Sequence, residues 1–99
     1  MPYWIEYSPD AEDHLRRLKA YRQSIVLDKV EEPLRYQPTV ETKHRKLMRP
    51  NPLAPWELRI GDLRVYYDVE EEPKPQVNIR AIGLKVGNRV YIGNQEIPL

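Results

Sequence analysis

The stretch WELRIGDLRVYYDV, residues 56–69, predicts a β-hairpin, and this hairpin decides how the rest of the chain can fold. Two runs of alternating apolar and polar residues flank Gly61 and Asp62, a dipeptide typical of a two-residue hairpin loop. With this loop, Arg59 lies directly opposite Arg64. Because like charges at opposed positions destabilise a sheet, the pair calls for an explanation.

The alternation divides the hairpin into two faces. The face expected to pack against helices is apolar and consists of Trp56, Leu58, Ile60, Leu63, Val65, Tyr67 and Val69. The other face carries Glu57, Arg59, Arg64, Tyr66 and Asp68. Two interpretations of this polar face stay open. Either the acids neutralise the arginines on a solvated mixed-charge surface, or an outside anion such as phosphate lies between the guanidinium groups.

Length and composition predict one folded domain that spans residues 1–99. Hydrophobic residues make up 40% and charged residues 31% of the chain, which is typical of a folded protein rather than a disordered one. There is no cysteine, no signal-like N-terminus and no apolar run of membrane-spanning length, so we expect a cytoplasmic protein without a membrane partner. His14 and His44 have no partner at a metal-ligand spacing, and we expect no metal.

Basic residues are clustered although the formal net charge is only +1. One group lies within seven residues and consists of Lys43, Arg45, Lys46 and Arg49, and a second group consists of Arg16, Arg17, Lys19 and Arg22. A basic region on a nearly neutral protein is able to bind a phosphate backbone, but two solvated basic faces explain the same pattern. Charge alone leaves both interpretations open.

The first third of the chain predicts a strand and two helices. Residues 2–7 are rich in aromatic and β-branched side chains, as in a strand. Ser8 and Pro9 then form a helix start, because the serine caps free amides and the proline has no amide to leave unpaired. Apolar residues continue at helical spacing, with a bend expected near residues 20–22, and Pro33 should end or distort the last turn.

The remainder of the chain predicts mainly strands. Residues 37–55 are polar and rich in proline, and they are expected to form an extended connection. The hairpin follows, then VNIRAIGL (residues 77–84) as a central strand and NRVYIG (residues 88–93) as a short last strand. The fold class is therefore α+β, with an N-terminal strand, two helices and then a mainly antiparallel, twisted sheet of about four strands.

The hairpin, together with IRAIGLKVGNRVYI (residues 79–92), resembles the end of the RelE/ParE toxin superfamily. The pattern of that family is an arginine-bearing hairpin, a hydrophobic strand ending in Gly, a basic residue and then a Tyr. Here these features are Arg59, Arg64, Gly83, Lys85 and Tyr91. The resemblance covers most of the chain, and it implies a RelE-like fold and the toxin of a type II toxin-antitoxin pair.

The resemblance also implies roles for single residues. Arg64 matches the hairpin arginine that holds or activates the scissile phosphate in RelE-like enzymes, and Lys85 stands where a second catalytic arginine is usual. Tyr91 matches the C-terminal tyrosine that stacks on the substrate nucleotide. Glu57 and Pro55, in contrast, occupy positions where the best-known RelE enzymes have lysines.

RNA cleavage without a metal or cofactor needs a base for the ribose 2′-hydroxyl, cations around the phosphorane and an acid for the leaving 5′-oxygen. Glu57 is a plausible base, and Tyr91 a stacking platform or weak acid. The expected cations are Arg59, Arg64 and Lys85, and the expected RNA-binding residues are Lys43, Arg45, Lys46 and Arg49.

The leading interpretation is a RelE-like toxin that cleaves messenger RNA on the ribosome, so the implied partners are the ribosome, messenger RNA and a cognate antitoxin protein. Two alternatives stay open. A ParE-like toxin would bind DNA gyrase and lack nuclease chemistry, and a non-catalytic relative would act as a binding module.

Overall fold

The computed structural model describes residues 2–98, and the predicted order of a strand, two helices and then strands is confirmed. The elements are β1 (Trp4–Tyr7), α1 (Pro9–Arg16), α2 (Ala20–Tyr36), β2 (Arg45–Leu47), β3 (Trp56–Ile60), β4 (Leu63–Glu70), β5 (Gln76–Val86), β6 (Arg89–Ile92) and β7 (Gln95–Ile97). Within the described residues the strands form one seven-stranded sheet, which is larger than the sheet of about four strands expected from the α+β pattern.

The predicted helix start is confirmed. The Ser8 side chain accepts a hydrogen bond from the Ala11 amide at 3.1 Å, and Pro9 is the first residue of α1. The division into two helices is also confirmed, but the break lies at residues 17–19, before the bend expected near residues 20–22, since α1 ends at Arg16 and α2 begins at Ala20. Neither helix in residues 2–98 has the length and apolar character needed to cross a membrane.

Pro33, which was expected to end or distort the last turn, lies inside α2, and the helix continues for three more residues to Tyr36. A proline inside a helix removes one amide donor, but its own carbonyl still accepts. The Pro33 carbonyl accepts a hydrogen bond from the Gln37 amide at 3.1 Å. The next residue, Leu34, is fully buried in the core, and this packing holds the last turn in place.

The strand order along the sheet is β2-β3-β4-β5-β6-β7. β1 lies parallel to the first half of β5, and the other pairs are antiparallel. The predicted register of the hairpin is confirmed, because Arg59 lies opposite Arg64 and Glu57 opposite Tyr66. Gly61 has a φ of 59°, a backbone conformation that glycine adopts without strain.

One face of the sheet packs against both helices, as the alternation in the hairpin predicts. The buried residues of this core come from α1, α2 and the central strands: Ala11, Val26, Val30, Leu34, Trp56, Leu58, Leu63, Val65, Tyr67, Val77, Ile79 and Ile82. The rings of Trp56 and Tyr67 stack with centroids 6.1 Å apart, and the Tyr67 hydroxyl donates a hydrogen bond to the Pro38 carbonyl at 2.6 Å.

The opposite face of the sheet is only partly exposed. A smaller apolar cluster covers one region of it and consists of Ala54, Tyr66, Ala81 and Ile92, with Met48, Leu53, Val90 and Ile97 packed around them. These residues come from the β2–β3 loop and from the C-terminal strands. Tyr66, which the alternation assigned to a polar face, is therefore fully buried.

Two strands of the structure, β2 and β7, were not predicted. Each has three residues and lies at an end of the sheet, paired on one side only. Their sequences are polar, and the residues around β2 are rich in proline. The neighbouring strand β3 holds β2 in place: the Arg59 amide donates to the His44 carbonyl at 2.8 Å, and the Met48 amide donates to the Pro55 carbonyl at 2.7 Å.

Gly83 is required where β5 and β6 come close together. A Cβ atom at this position would lie 2.8 Å from the Tyr91 carbonyl oxygen and 3.0 Å from Ile92 Cγ1. We expect Gly83→Ala to lower the free energy of unfolding by about 1–3 kcal/mol, because the strands must move apart. Urea denaturation measures this change. Val86→Ala, at an exposed position of the same strand, is the control, and equal stability of Gly83→Ala and the parent would contradict the prediction.

Candidate functional site

A groove of about 740 Å³ lies on the face of the sheet that the helices do not cover. Its floor comes from β3, β4 and β5, and the residues that follow β2 form a wall. Its lining has five basic side chains and one acidic side chain, namely Lys46, Arg49, Arg59, Arg64, Lys85 and Glu57. The groove therefore has a positive potential, although the net charge of the whole chain is only +1.

Arg64 is the buried cation of this groove, with a relative exposure of 7%. Its Nη1 donates to the Gly61 carbonyl at 2.7 Å and to the Leu63 carbonyl at 2.9 Å. Within residues 2–98 no carboxylate lies at ion-pair distance from it. Because a buried charge is costly without a counter-charge, Arg64 with its remaining N–H donors is suited to an outside anion.

The hairpin turn that holds Arg64 is fixed from two sides. Asp62 Oδ1 accepts a hydrogen bond from Arg22 Nη1 of α2 at 2.7 Å, and its carbonyl accepts from the Lys85 amide at 2.8 Å. The hydrogen bond from Arg22 lowers the pKa of the Asp62 carboxyl. The turn thus links α2, β4 and β5, and it places the carbonyl of Gly61 where Arg64 contacts it.

Glu57 is buried, with a relative exposure of 6%, and it forms an ion pair with Arg59 on the same strand. Arg59 Nε donates to Glu57 Oε1 at 2.8 Å. Across the sheet, Glu57 lies between Lys46 of β2 and Tyr66 of β4. The carboxylate therefore neutralises part of the charge of Arg59 and leaves Arg64 unpaired.

Tyr66 lies directly opposite Glu57 across the hairpin, and its hydroxyl oxygen is buried without a well-formed hydrogen bond in the described part of the chain. Burial raises the pKa of this hydroxyl, and the nearby Glu57 carboxylate raises it further, both by its charge and as a close hydrogen-bond acceptor. The hydroxyl therefore keeps its proton at neutral pH. Sequence analysis did not assign a function to Tyr66, because alternation alone does not show that a cluster of apolar residues covers it.

The two basic groups of the sequence differ in their ion pairs. In the second group, Arg16 pairs with Glu12 at 3.8 Å, Arg17 with Asp13 at 3.0 Å, and Arg22 with Asp62. In the groove, by contrast, only Arg59 has an acidic partner among the described residues. The second group therefore has structural ion pairs, and the groove carries unmatched positive charge.

Asn51 shapes the wall of the groove. Its side-chain oxygen accepts from the Leu53 and Ala54 amides at 2.8 and 3.2 Å, and its side-chain nitrogen donates to the carbonyls of Arg49 and Ala54 at 2.8 and 3.0 Å. These bonds fix the loop that carries Arg49. In the sequence, Asn51 is visible only as a polar residue between prolines, so its role depends on the folded loop.

The structure brings four of the five predicted catalytic residues together, since Glu57, Arg59, Arg64 and Lys85 line the same groove. Tyr91 does not lie there. It lines a separate groove of about 360 Å³ beside His14 and Arg17. Gly87 and Asn88 form the turn between β5 and β6. Because of the strand register that this turn sets, Lys85 and Tyr91 occupy opposite faces of the sheet, although they are an even number of residues apart.

The predicted RNA-binding residues also divide. Lys46 and Arg49 line the groove, and Lys43 is exposed outside its lining. Arg45 is 8% exposed and faces the end of α2, where its Nε donates to the Val40 carbonyl at 2.9 Å. Arg45 and Lys46 point to opposite faces because they are neighbours in the strand β2, which was not expected from the sequence.

No three His, Asp or Glu side chains in residues 2–98 form a group that would hold a metal ion. His14 instead completes the pairing of β5. Its Nδ1 accepts a hydrogen bond from the Ile82 amide at 3.3 Å, in the interval between the segments of β5 that pair with β1 and with β6. Burial lowers the pKa of His14, an effect that Arg17 reinforces and that Asp10 and Asp13 oppose.

Stability is expected to fall as the pH is lowered from about 7.5 to about 5, because an imidazole with a lowered pKa binds fewer protons in the folded state than in the unfolded state. His14→Asn keeps an acceptor for the Ile82 amide and does not titrate, so the decrease should be smaller in this variant. Urea denaturation at each pH measures the effect. His44→Asn, at an exposed histidine, is the control, and equal slopes for His14→Asn and the parent would refute the prediction.

Comparison with known proteins identifies the fold. No protein-family model and no curated protein sequence matches the chain. Among solved structures, the chain is similar to a chain of the toxin-antitoxin complex RelBE2 from Mycobacterium tuberculosis, with a TM-score of 0.73 and 20% sequence identity. The similarity covers 86% of this chain and 100% of the other. The RelE-like fold predicted from the sequence is thus confirmed.

Proposed function

We propose that this chain, which has a RelE-like fold, is the toxin of a type II toxin-antitoxin pair and cleaves messenger RNA on the ribosome. The observation that carries the proposal is Arg64, a buried guanidinium without an acidic partner in the described residues, in a groove with four other basic side chains. Such a groove fits a phosphodiester, because a guanidinium binds two phosphate oxygens with parallel hydrogen bonds.

The proposed reaction is an attack of the ribose 2′-hydroxyl on the adjacent phosphate, assisted by the groove residues. Glu57 removes the proton of the ribose 2′-hydroxyl, and the 2′-oxygen attacks the adjacent phosphorus. Arg64, Arg59 and Lys85 stabilise the negative charge that develops on the phosphorane oxygens. The bond between phosphorus and the 5′-oxygen breaks, the 5′-oxygen takes up a proton from a lysine ammonium of the groove, and a 2′,3′-cyclic phosphate remains.

The ribosome supplies part of the positioning in this proposal. The groove lining contains no aromatic side chain that would stack on a base, and the net charge of +1 gives weak long-range attraction to free RNA. A messenger RNA that the ribosome already holds needs only its phosphate to be recognised. The protein is therefore expected to act in the cytoplasm and to cut ribosome-bound RNA faster than free RNA.

The proposed protein partner is a cognate antitoxin. The structural relative comes from a toxin-antitoxin complex, and the groove attracts an acidic segment by charge. We expect that induction of this chain alone arrests bacterial growth and that co-expression of a small protein encoded by the adjacent reading frame restores it. Normal growth after induction of the chain alone would overturn the toxin assignment.

A second function stays open because Glu57 neutralises Arg59 inside the groove. A ParE-like gyrase inhibitor, or a relative that binds without cleaving, does not need a catalytic base at this position. The cellular response separates these functions. A nuclease stops translation and leaves cut messenger RNA, a gyrase inhibitor causes a DNA damage response with intact messenger RNA, and a non-catalytic relative causes neither.

A further inference from the structure

The Tyr66 hydroxyl has an unused donor. Its oxygen is buried without a partner in residues 2–98, and the side chains packed around the ring are aliphatic, including Ala54, Ala81 and Ile92. Buried polar groups in proteins almost always have a hydrogen-bond partner, so an exception calls for a physical reason. Phenylalanine would fill the same volume without an unpaired hydroxyl.

The group nearest in the sheet with an unused acceptor is Glu57, directly opposite Tyr66 across the hairpin. Its Oε1 accepts from Arg59 Nε at 2.8 Å, and its Oε2 accepts no hydrogen bond from the described residues. An ionised carboxylate has about four acceptor positions, so Glu57 has room for a second donor.

Arg59 is the exposed member of this group. Its side chain is 40% exposed and lines the groove, whereas the side chain of Glu57 is 8% exposed. A phosphate in the groove would compete with Glu57 for the Arg59 guanidinium. If the phosphate displaces Glu57 from Arg59, Glu57 becomes a buried carboxylate without its ion-pair partner. This state is strongly unfavourable unless another donor replaces Arg59.

We propose that Tyr66 is a positioning residue for Glu57: when a phosphate in the groove engages Arg59, the Tyr66 hydroxyl donates a hydrogen bond to the Glu57 carboxylate and holds it in position. Tyr66 keeps its proton throughout. This inference rests on the proposed function, because it requires a phosphate in the groove. The charged groups that surround the pair are Arg59 of β3, Arg64 of β4, Lys46 of β2 and Lys85 of β5.

The test is the NMR chemical shift of the Glu57 carboxyl carbon in the full chain, with and without a saturating 2′-O-methyl oligoribonucleotide, which lacks the attacking hydroxyl and is not cleaved. Binding should shift this resonance in the parent and much less in Tyr66→Phe, because the variant has no hydroxyl to donate a hydrogen bond to the carboxylate. The variant should be at least as stable as the parent, because an unpaired buried hydroxyl is removed.

Tyr67→Phe is the matched control. Tyr67 is the next residue and is equally buried, but its hydroxyl lies on the other face and donates to the Pro38 carbonyl. This variant should lose thermal stability and keep the parent's response of the Glu57 resonance to the oligoribonucleotide. In a cleavage assay, kcat should fall with KM unchanged in Tyr66→Phe only.

Two results would overturn the inference, and they differ in what they say about the proposed function. An equal response of the Glu57 resonance to the oligoribonucleotide in the parent and in Tyr66→Phe overturns the role of Tyr66 and leaves the phosphate groove intact. Absence of cleavage of ribosome-bound messenger RNA by the parent protein overturns both.

Discussion

Replacing Arg64 by alanine is expected to lower the rate of cleavage of ribosome-bound messenger RNA by about 100- to 1,000-fold. The buried guanidinium is held by the Gly61 and Leu63 carbonyls and has no acidic partner among the described residues, so its charge is available to the phosphorane. Single-turnover cleavage of a 5′-labelled messenger RNA measures the loss.

Two further variants show whether the charge or the geometry of Arg64 matters. Arg64→Lys keeps the charge and loses the planar fork, so its rate should lie between those of the parent and Arg64→Ala. Arg16→Ala removes an exposed arginine from α1, outside the groove, and should cleave like the parent. Parent-like cleavage by a folded Arg64→Ala protein would place the reaction outside this groove.

Glu57→Gln is expected to change cleavage and binding in opposite directions. Cleavage should fall by about 100- to 10,000-fold, because the base for the 2′-hydroxyl is lost. Binding of a 2′-O-methyl oligoribonucleotide should become tighter, because the amide no longer neutralises Arg59. Fluorescence anisotropy at several salt concentrations measures the binding, and the cleavage assay measures the rate.

The Glu57→Gln variant also shows whether Glu57 acts as a base or only neutralises Arg59. If Glu57 only neutralises Arg59, binding becomes tighter and cleavage stays equal or increases, a result that would contradict the proposed mechanism. Glu12→Gln is the matched control, since Glu12 pairs with an arginine on the surface of α1 and lies outside the groove. It should change neither cleavage nor binding.

The hairpin and the helix start could be predicted from the sequence because local chemistry determines them. Gly61 and Asp62 set the register that places Arg59 opposite Arg64, and the alternation around them identifies the face that packs on the helices. Ser8 and Pro9 define the start of α1 in the same local way. The core of the candidate groove follows from that register, since Glu57, Arg59 and Arg64 share one face.

The remaining features depend on contacts between distant segments. The short strand β2 forms because its backbone pairs with β3, and this pairing turns Arg45 away from Lys46. Tyr91 was expected in the same catalytic site as Arg64, but the turn between β5 and β6 places it on the other face of the sheet. Tyr66 is buried by residues from the β2–β3 loop and the C-terminal strands, which no local pattern reveals.

The most direct test of the account is cleavage of a 5′-labelled messenger RNA by the purified chain, with and without bound ribosomes, next to a DNA gyrase supercoiling assay with the same preparation. The account predicts cuts in the ribosome-bound messenger RNA that end in a 2′,3′-cyclic phosphate, little cutting of free RNA and unimpaired supercoiling. Intact messenger RNA on the ribosome together with inhibited supercoiling would contradict it.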